Sequence, residues 1–188
     1  MKLWTRQFNT YLMLAAMLAL FCSCQTDKKD KEASALRVHI EANSDNTGTS
    51  QTISVLRSDP VPFTIEREPI LTEVNIVAAR VFDTPGGVAI EGRFDETATW
   101  ILEQYSAGNS GRHFVIYGQW GDKLANGRWL AAPTITRRIG NGVLAFTADV
   151  SREEADRLVL GLNNVAKQIH KGLSTWKKEY QIHPNDNR

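Results

Sequence analysis

Trp120, Arg128 and Trp129 flank the polar run Gly121-Asp-Lys-Leu-Ala-Asn-Gly127. The pattern predicts a long hairpin between Gly118 and Pro133. Trp and Arg are the residue types enriched where proteins grip one another, so these three are the candidate partner-contact residues. A second reading stays open: a cross-strand aromatic pair that closes the hairpin, worth about 0.2–1 kcal/mol. Other chemistry has thinner support. His39, His113, His170 and His183 show no HxH or HxxxH spacing and stand in no carboxylate-rich motif, so no metal is expected. There is no G-x-S-x-G elbow and no H-E-x-x-H. Gly86-Gly87 and Gly108-x-x-Gly111 mark turns rather than a phosphate cradle. Glu91, Asp95 and Glu96 could supply paired carboxylates, but a helix cap and a solvated strand face account for them. No catalytic residue and no cofactor is expected.

Both cysteines, Cys22 and Cys24, fall near the start. Lys2 and Arg6 precede the apolar run Tyr11 to Phe21, which is too short to span a bilayer and has the form of a signal-peptide core. Ser23 is small enough to precede a cleavage, and Cys24 follows it. This resembles a bacterial lipobox, with Cys24 as the lipidated residue; secretion without a lipid is the alternative. Gln25 in the next place points to the outer membrane, facing the periplasm, under the sorting rule of enteric-type bacteria. The expected organisation is a lipoprotein signal peptide over 1–23, a polar tether over 24–35, an N-terminal strand segment over 36–69 and an α+β domain over 70–183.

These assignments sit in a chain of 188 residues with 42% hydrophobic, 23% charged and 9% aromatic side chains. That is globular composition. Lys plus Arg is 22 against 21 for Asp plus Glu, which lacks the basic excess of a nucleic-acid binder.

The elements that must position the candidate residues read as follows. Strands are expected over Leu36–Ile40, Ile53–Leu56 and Val61–Ile65, with Pro60 and Pro62 restricting the last to an edge or turn. Glu66-Arg-Glu-Pro69 reads as a boundary. Leu71–Ala79 reads as a short helix or turn. Arg80–Phe82 and Val88–Phe94 form a hairpin through Pro85-Gly86-Gly87. Asp95 caps a helix whose buried face is Ala98, Ile101, Leu102 and Tyr105, with Trp100 off that face. Strands follow at His113–Trp120, Arg128–Ile135 and Val143–Thr147. Ser151-Arg-Glu-Glu154 is a capping box. It opens a helix with the stripe Leu158, Leu162, Val165, Ile169, Leu173, Trp176 and Tyr180, and Gly172 marks a bend or an early end. The order suits a ferredoxin-like two-layer sandwich, α+β, with a mostly antiparallel sheet, two helices on one face and extra N-terminal strands.

From Leu71 to about Leu162 the chain resembles the periplasmic head region of the SecD protein-export membrane protein family. Leu71-Thr-Glu-Val-Asn-Ile-Val-Ala-Ala-Arg-Val81 is similar to the family's LTG-x-D-L-x-x-A-x-V. Phe94-Asp95, Leu102, Ser106, Asn109 and Gly111 resemble its F-D helix and T-x-x-N-x-G exit. Ala131-Ala-Pro-Thr-Ile135, Ile139, Gly142 and Phe146-Thr147 resemble SAP-x-I…I-T-G-G…I-T-G. Ser151-x-Glu-Glu-Ala155 resembles the S/T-x-E-E-A helix start. Glu73 and Ala148 replace family glycines, and Asn141 stands where the first of two glycines would be. The Gly118–Ala131 segment is longer than the family's tight hairpin, and the family's transmembrane helices are absent from this sequence.

The resemblance implies a non-catalytic envelope module that binds protein or peptide, with an exported polypeptide or an envelope protein as partner, accessory to protein export. It does not imply the family's proton-driven motor role. The alternative is a small-ligand binder or enzyme on a reused α+β fold.

Overall fold

Ile70 donates its backbone N–H to the carbonyl of Val38 at 2.8 Å, and this bond ties the two sides of the expected boundary together. The computed structural model describes residues 32–43 and 48–182, with side chains to Lys171. The leader, Cys24, most of the tether, the loop tip at 44–47, the side chains of Leu173, Trp176 and Tyr180, and His183 lie outside the described residues. The described residues from Glu32 onward belong to one compact unit.

The strands are β1 (Ala35–Ile40), β2 (Ser50–Val55), β3 (Val61–Glu66), β4 (Leu71–Thr72), β5 (Ile76–Thr84), β6 (Gly87–Phe94), β7 (Phe114–Trp120), β8 (Asn126–Ala131) and β9 (Val143–Thr147). The helices are α1 (Glu96–Gly108) and α2 (Arg152–Ile182). The fold is α+β, and the strand pairs are antiparallel. The strands divide into three sheets, ordered β4-β1-β7-β8, β2-β3 and β5-β6-β9.

β1 lies between β4 and β7, so it belongs to the interior of the largest sheet. Segment 36–69 and the residues after it are therefore woven into one body. In the charged run Glu66–Pro69, Glu66 ends β3 and Arg67–Pro69 form a surface bend before β4. Leu71–Ala79 is not a helix. Thr72 and Asn75 close a single 3-10 turn over Glu73–Asn75, with the Thr72 N–H donating to Asn75 Oδ1 at 3.0 Å. β5 then begins at Ile76. The β-branched residues Ile76 and Val77 favour extended chain.

One apolar core joins the inner faces of the larger sheets to both helices. Val38, Ile116 and Leu130 meet Leu158 and Leu162 of α2 there, with Phe94, Leu102 and Phe146. Asp95 caps α1 by accepting the Ala98 N–H at 2.8 Å. Ser151 and Glu154 form the expected reciprocal cap on α2, at 3.2 and 2.8 Å. The helix runs on through Gly172 to Ile182. A smaller core, Val55, Ile65 and Val115 with Phe63 and Trp129 against it, fills the space between the β2-β3 hairpin and the opposite face of the four-stranded sheet.

Before β1, Glu32–Ser34 lie across α2. Asn164 donates to the Glu32 carbonyl at 3.0 Å and Arg157 binds the Glu32 carboxylate at 3.0 Å. Gly161 makes the crossing close. A Cβ there would stand 2.7 Å from Ser34 N and 2.8 Å from the Ala33 carbonyl carbon.

Candidate functional site

The long hairpin separates the three residues expected to act together. Side chains alternate across a strand, and the pairing of Tyr117 with Trp129 and of Trp120 with Asn126 puts the tryptophans on opposite faces. Trp120 is 2% exposed and belongs to the main core. The expected partner-contact residue thus has its ring turned into the core rather than presented at the surface. Nor do Trp120 and Trp129 pair with each other across the strands. Trp129 stacks edge-on with Tyr117 at 5.1 Å and with His39 at 5.2 Å, half-buried over the small core. Arg128 lies over the Trp120 ring at 4.9 Å and binds Glu154 at 2.7 Å. Burial pushes the Glu154 carboxyl up, but the Ser151 N–H and the Arg128 guanidinium outweigh it and hold the group below the usual range.

His39 and His113 are also engaged structurally. His39 is buried and its Nδ1 lies 2.8 Å from the Glu66 carbonyl. Burial lowers its pKa below 6.5 against the raising effect of that bond. His113 holds Glu41 at 2.6 Å and touches Thr134 through Nε2 at 3.1 Å. Among the described residues no three His, Cys, Asp or Glu side chains converge as a metal cage. Glu91 is paired with Arg80 at 2.7 Å, and Asp95 is committed to its helix cap.

A well-formed concavity lies elsewhere, between the outer side of 131–139 and β9. Phe114, Pro133, Thr134 and Ile135 line one side of a cleft of about 650 Å³, and Val143, Leu144 and Ala145 line the other. A second cleft, about 330 Å³, continues past Pro133 to Thr147, Leu56, Val61 and Phe63. The volumes lie within the range of ligand sites.

The two clefts share Pro133 and run on from one another, and the contacts beyond each end of that run are fixed. At one end Asp149 donates its N–H to the Leu130 carbonyl at 2.8 Å. The Asp149 carboxylate accepts from the Arg57 backbone at 2.8 Å and pairs with its guanidinium at 3.2 Å. Burial raises the Asp149 pKa, and the Arg57 bonds more than reverse that. At the other end Ile139 donates to Ser106 Oγ at 2.8 Å, and Arg138 pairs with Glu103. Gly142 takes a left-handed φ of +66°, and a Cβ there would collide with Thr99. Asn141 contributes through its side chain instead, accepting the Val143 N–H at 3.2 Å.

The Ser106, Asn109 and Gly111 pattern thus has a mechanical meaning. Ser106 holds the cleft loop, Asn109 caps α1 by donating to the Tyr105 carbonyl at 2.9 Å, and Gly111 donates to the Ile135 carbonyl at 2.9 Å. Sequence reading missed the cleft, although Pro133 and the turn at Gly140–Gly142 mark the two places where its walls leave regular pairing.

Comparison with known proteins agrees with this framework. No curated protein sequence matches the chain. Solved structures do. One, described as a membrane component SecDF that enhances protein export, is 19% identical with a TM-score of 0.49, covering 73% of this chain and 65% of that one. SecDF in a super-membrane-facing form is 18% identical with a TM-score of 0.49, covering 74% and 21%. SecDF from Thermus thermophilus is 14% identical with a TM-score of 0.37, covering 73% and 30%. The chain thus spans less than two thirds of each of these proteins. The family model of the SecDF P1 head subdomain matches residues 49–166, more than half of the chain, and the chain belongs to that family.

Proposed function

We propose that this protein is a lipid-anchored module of the bacterial envelope that contacts exported polypeptide through its SecDF-type head and carries no catalytic chemistry. The match of residues 49–166 to the SecDF P1 head is the observation that carries this reading. One matched SecDF structure is described as that of a component that enhances protein export. Among the described residues no helix is long and apolar enough to cross a membrane. The proposed share in export is therefore contact with the polypeptide, with the membrane attachment at Cys24. The outer membrane, facing the periplasm, is the proposed location. A small-ligand or enzymatic reading would need convergent polar side chains in the cleft. Glu91 and Arg138, its charged candidates besides Arg137, are already paired with Arg80 and Glu103.

Membrane flotation with pulse-chase of a secreted reporter tests this reading. The native protein is expected to float with membranes, Cys24→Ser to remain soluble, and reporter maturation to slow in cells lacking the protein. A floating Cys24→Ser variant would overturn the anchor. Unchanged maturation kinetics would count against the role in export.

A further inference from the structure

The cleft walls are the edge of β9 and the bridged segment 132–135 that follows β8, and the two part from each other. Phe94 donates to the Gly142 carbonyl and Ala148 to the Val88 carbonyl, both at 2.9 Å. Antiparallel ladders alternate between hydrogen-bonded and non-bonded pairs. With the ladder fixed at those two points, the backbone groups of Val143, Ala145 and Thr147 point away from β6. On the facing wall, Phe114 donates to the Pro133 carbonyl at 3.1 Å and Ile135 to the Arg112 carbonyl at 2.7 Å. The same alternation turns the backbone of Ala132 and Thr134 outward. Among the described residues the backbone bond that joins the two edges is the one from Asp149 to Leu130. Among the described residues no strand pairs with the outer edge of β9.

An open edge is a template for another chain. Natural edges are shielded by charges, proline or a covering element; here Pro133 stands in one wall, where its ring nitrogen faces β7, and the walls are held in place by the Asp149 neck and the Ser106 and Glu103 pins. The walls are preset, so an occupant would not have to order them. The ends differ chemically. Leu56 and Val61, 45% and 38% exposed, stand at the Thr147 end. Arg137 stands near the other and has no ion-pair partner among the described residues, whereas Arg138 is neutralised by Glu103.

We propose that this cleft binds an extended polypeptide segment by strand addition to β9. The segment spans about five residues, the length of β9, with apolar side chains at the Leu56 end and an acidic residue at the Arg137 end. Its backbone bonds to the outward groups of Ala145 and Thr147 and is indifferent to most side chains. This rests on the polypeptide-contact reading and adds the place and the mode of recognition.

Fluorescence anisotropy on the purified full chain tests it with four probes: a labelled decapeptide of alternating Val and Thr with Asp at one end, the same peptide N-methylated at alternate amides, the same peptide with Lys in place of Asp, and a reduced, alkylated unfolded protein. The plain decapeptide and the unfolded protein are expected to bind, and the methylated peptide to bind at least tenfold more weakly. Ala145→Pro removes an N–H that the β6 ladder does not use, so the fold is retained. It should weaken decapeptide binding about tenfold, as expected for losing one or two backbone bonds. Arg137→Glu, on an exposed loop, should weaken the Asp-ended peptide several-fold and spare a Lys-ended one; it serves as the second variant if Ala145→Pro melts early. Equal binding of plain and methylated peptides overturns strand addition, as does a folded Ala145→Pro with unchanged affinity. Binding of the unfolded protein without the decapeptide overturns the cleft and leaves polypeptide contact standing elsewhere on the head. Binding of neither overturns both.

Discussion

The Arg128 guanidinium lies 4.9 Å above the ring of Trp120 while its Nη2 holds the Glu154 carboxylate at 2.7 Å. One side chain thereby closes the core over the largest aromatic group of β7 and ties β8 to the first turn of α2. A cation over a partly desolvated indole contributes about 0.5–2 kcal/mol. The ion pair is about a quarter exposed on each side and adds little more. Arg128→Ala is therefore expected to lower stability by about 1–2 kcal/mol and Trp120→Ala by about 3–5 kcal/mol, read by urea denaturation. An unchanged midpoint for Arg128→Ala would show that the residue is free for a partner after all.

His39 gives the fold a pH dependence with a definite sign. Burial is the largest influence and lowers its folded pKa below 6.5, the value taken for the unfolded chain. The unfolded state then binds more protons between the two values, so stability is fully present above pH 6.5 and is lost as pH falls through the lowered folded value. His39→Gln should flatten that part of the profile. Denaturant midpoints between pH 7.5 and 5 measure it, and an unaltered slope in the variant would contradict the assignment.

Gly161 is expected to govern the strap Glu32–Ser34. An added methyl favours the helix by about 1 kcal/mol but stands 2.7 Å from the Ser34 backbone nitrogen, so the strap must lift. Gly161→Ala should leave α2 intact by circular dichroism and speed proteolytic cleavage near residues 32–34 severalfold. Equal cleavage rates would show that the crossing is loose.

Leu162 is 1% exposed within the main core. Leu162→Ala should cost about 2–5 kcal/mol by denaturant titration. A loss below about 0.5 kcal/mol, the scale of ordinary surface substitutions, would place α2 off the sheets.

Periodicity and caps made much of the fold legible. Leu158 and Leu162, the Asp95 cap, the Ser151–Glu154 box and the Val143–Thr147 strand all lie where spacing alone put them, whereas Val165 and Ile169 of the expected stripe are half-buried and Val159 and Ala166 are buried in their stead. What failed to show was long-range. No local pattern reveals that β1 will sit between β4 and β7, because the pairing partners lie far away in sequence. The hairpin misled for a reason of parity. With a bulge between Ile116 and Tyr117 and a loop over 121–125, the strand register sends Trp120 inward and Trp129 to the other face. The cleft was illegible because its working groups are backbone amides and carbonyls, which every residue carries and no motif marks.

The most direct test of polypeptide contact is site-specific photo-cross-linking in the living envelope. A photoreactive residue replaces Ala145 in the cleft, Trp100 on the exposed side of α1 or Lys167 on α2, with a defined secreted reporter arrested in transit. Contact through the head predicts that Ala145 captures the reporter, while Lys167 does not and Trp100 gives little. Capture from Trp100 with none from Ala145 would keep the function and move the site. If none of the three positions captures the arrested reporter, although each variant is folded and membrane-bound, the account of this protein as an export-contacting head is contradicted.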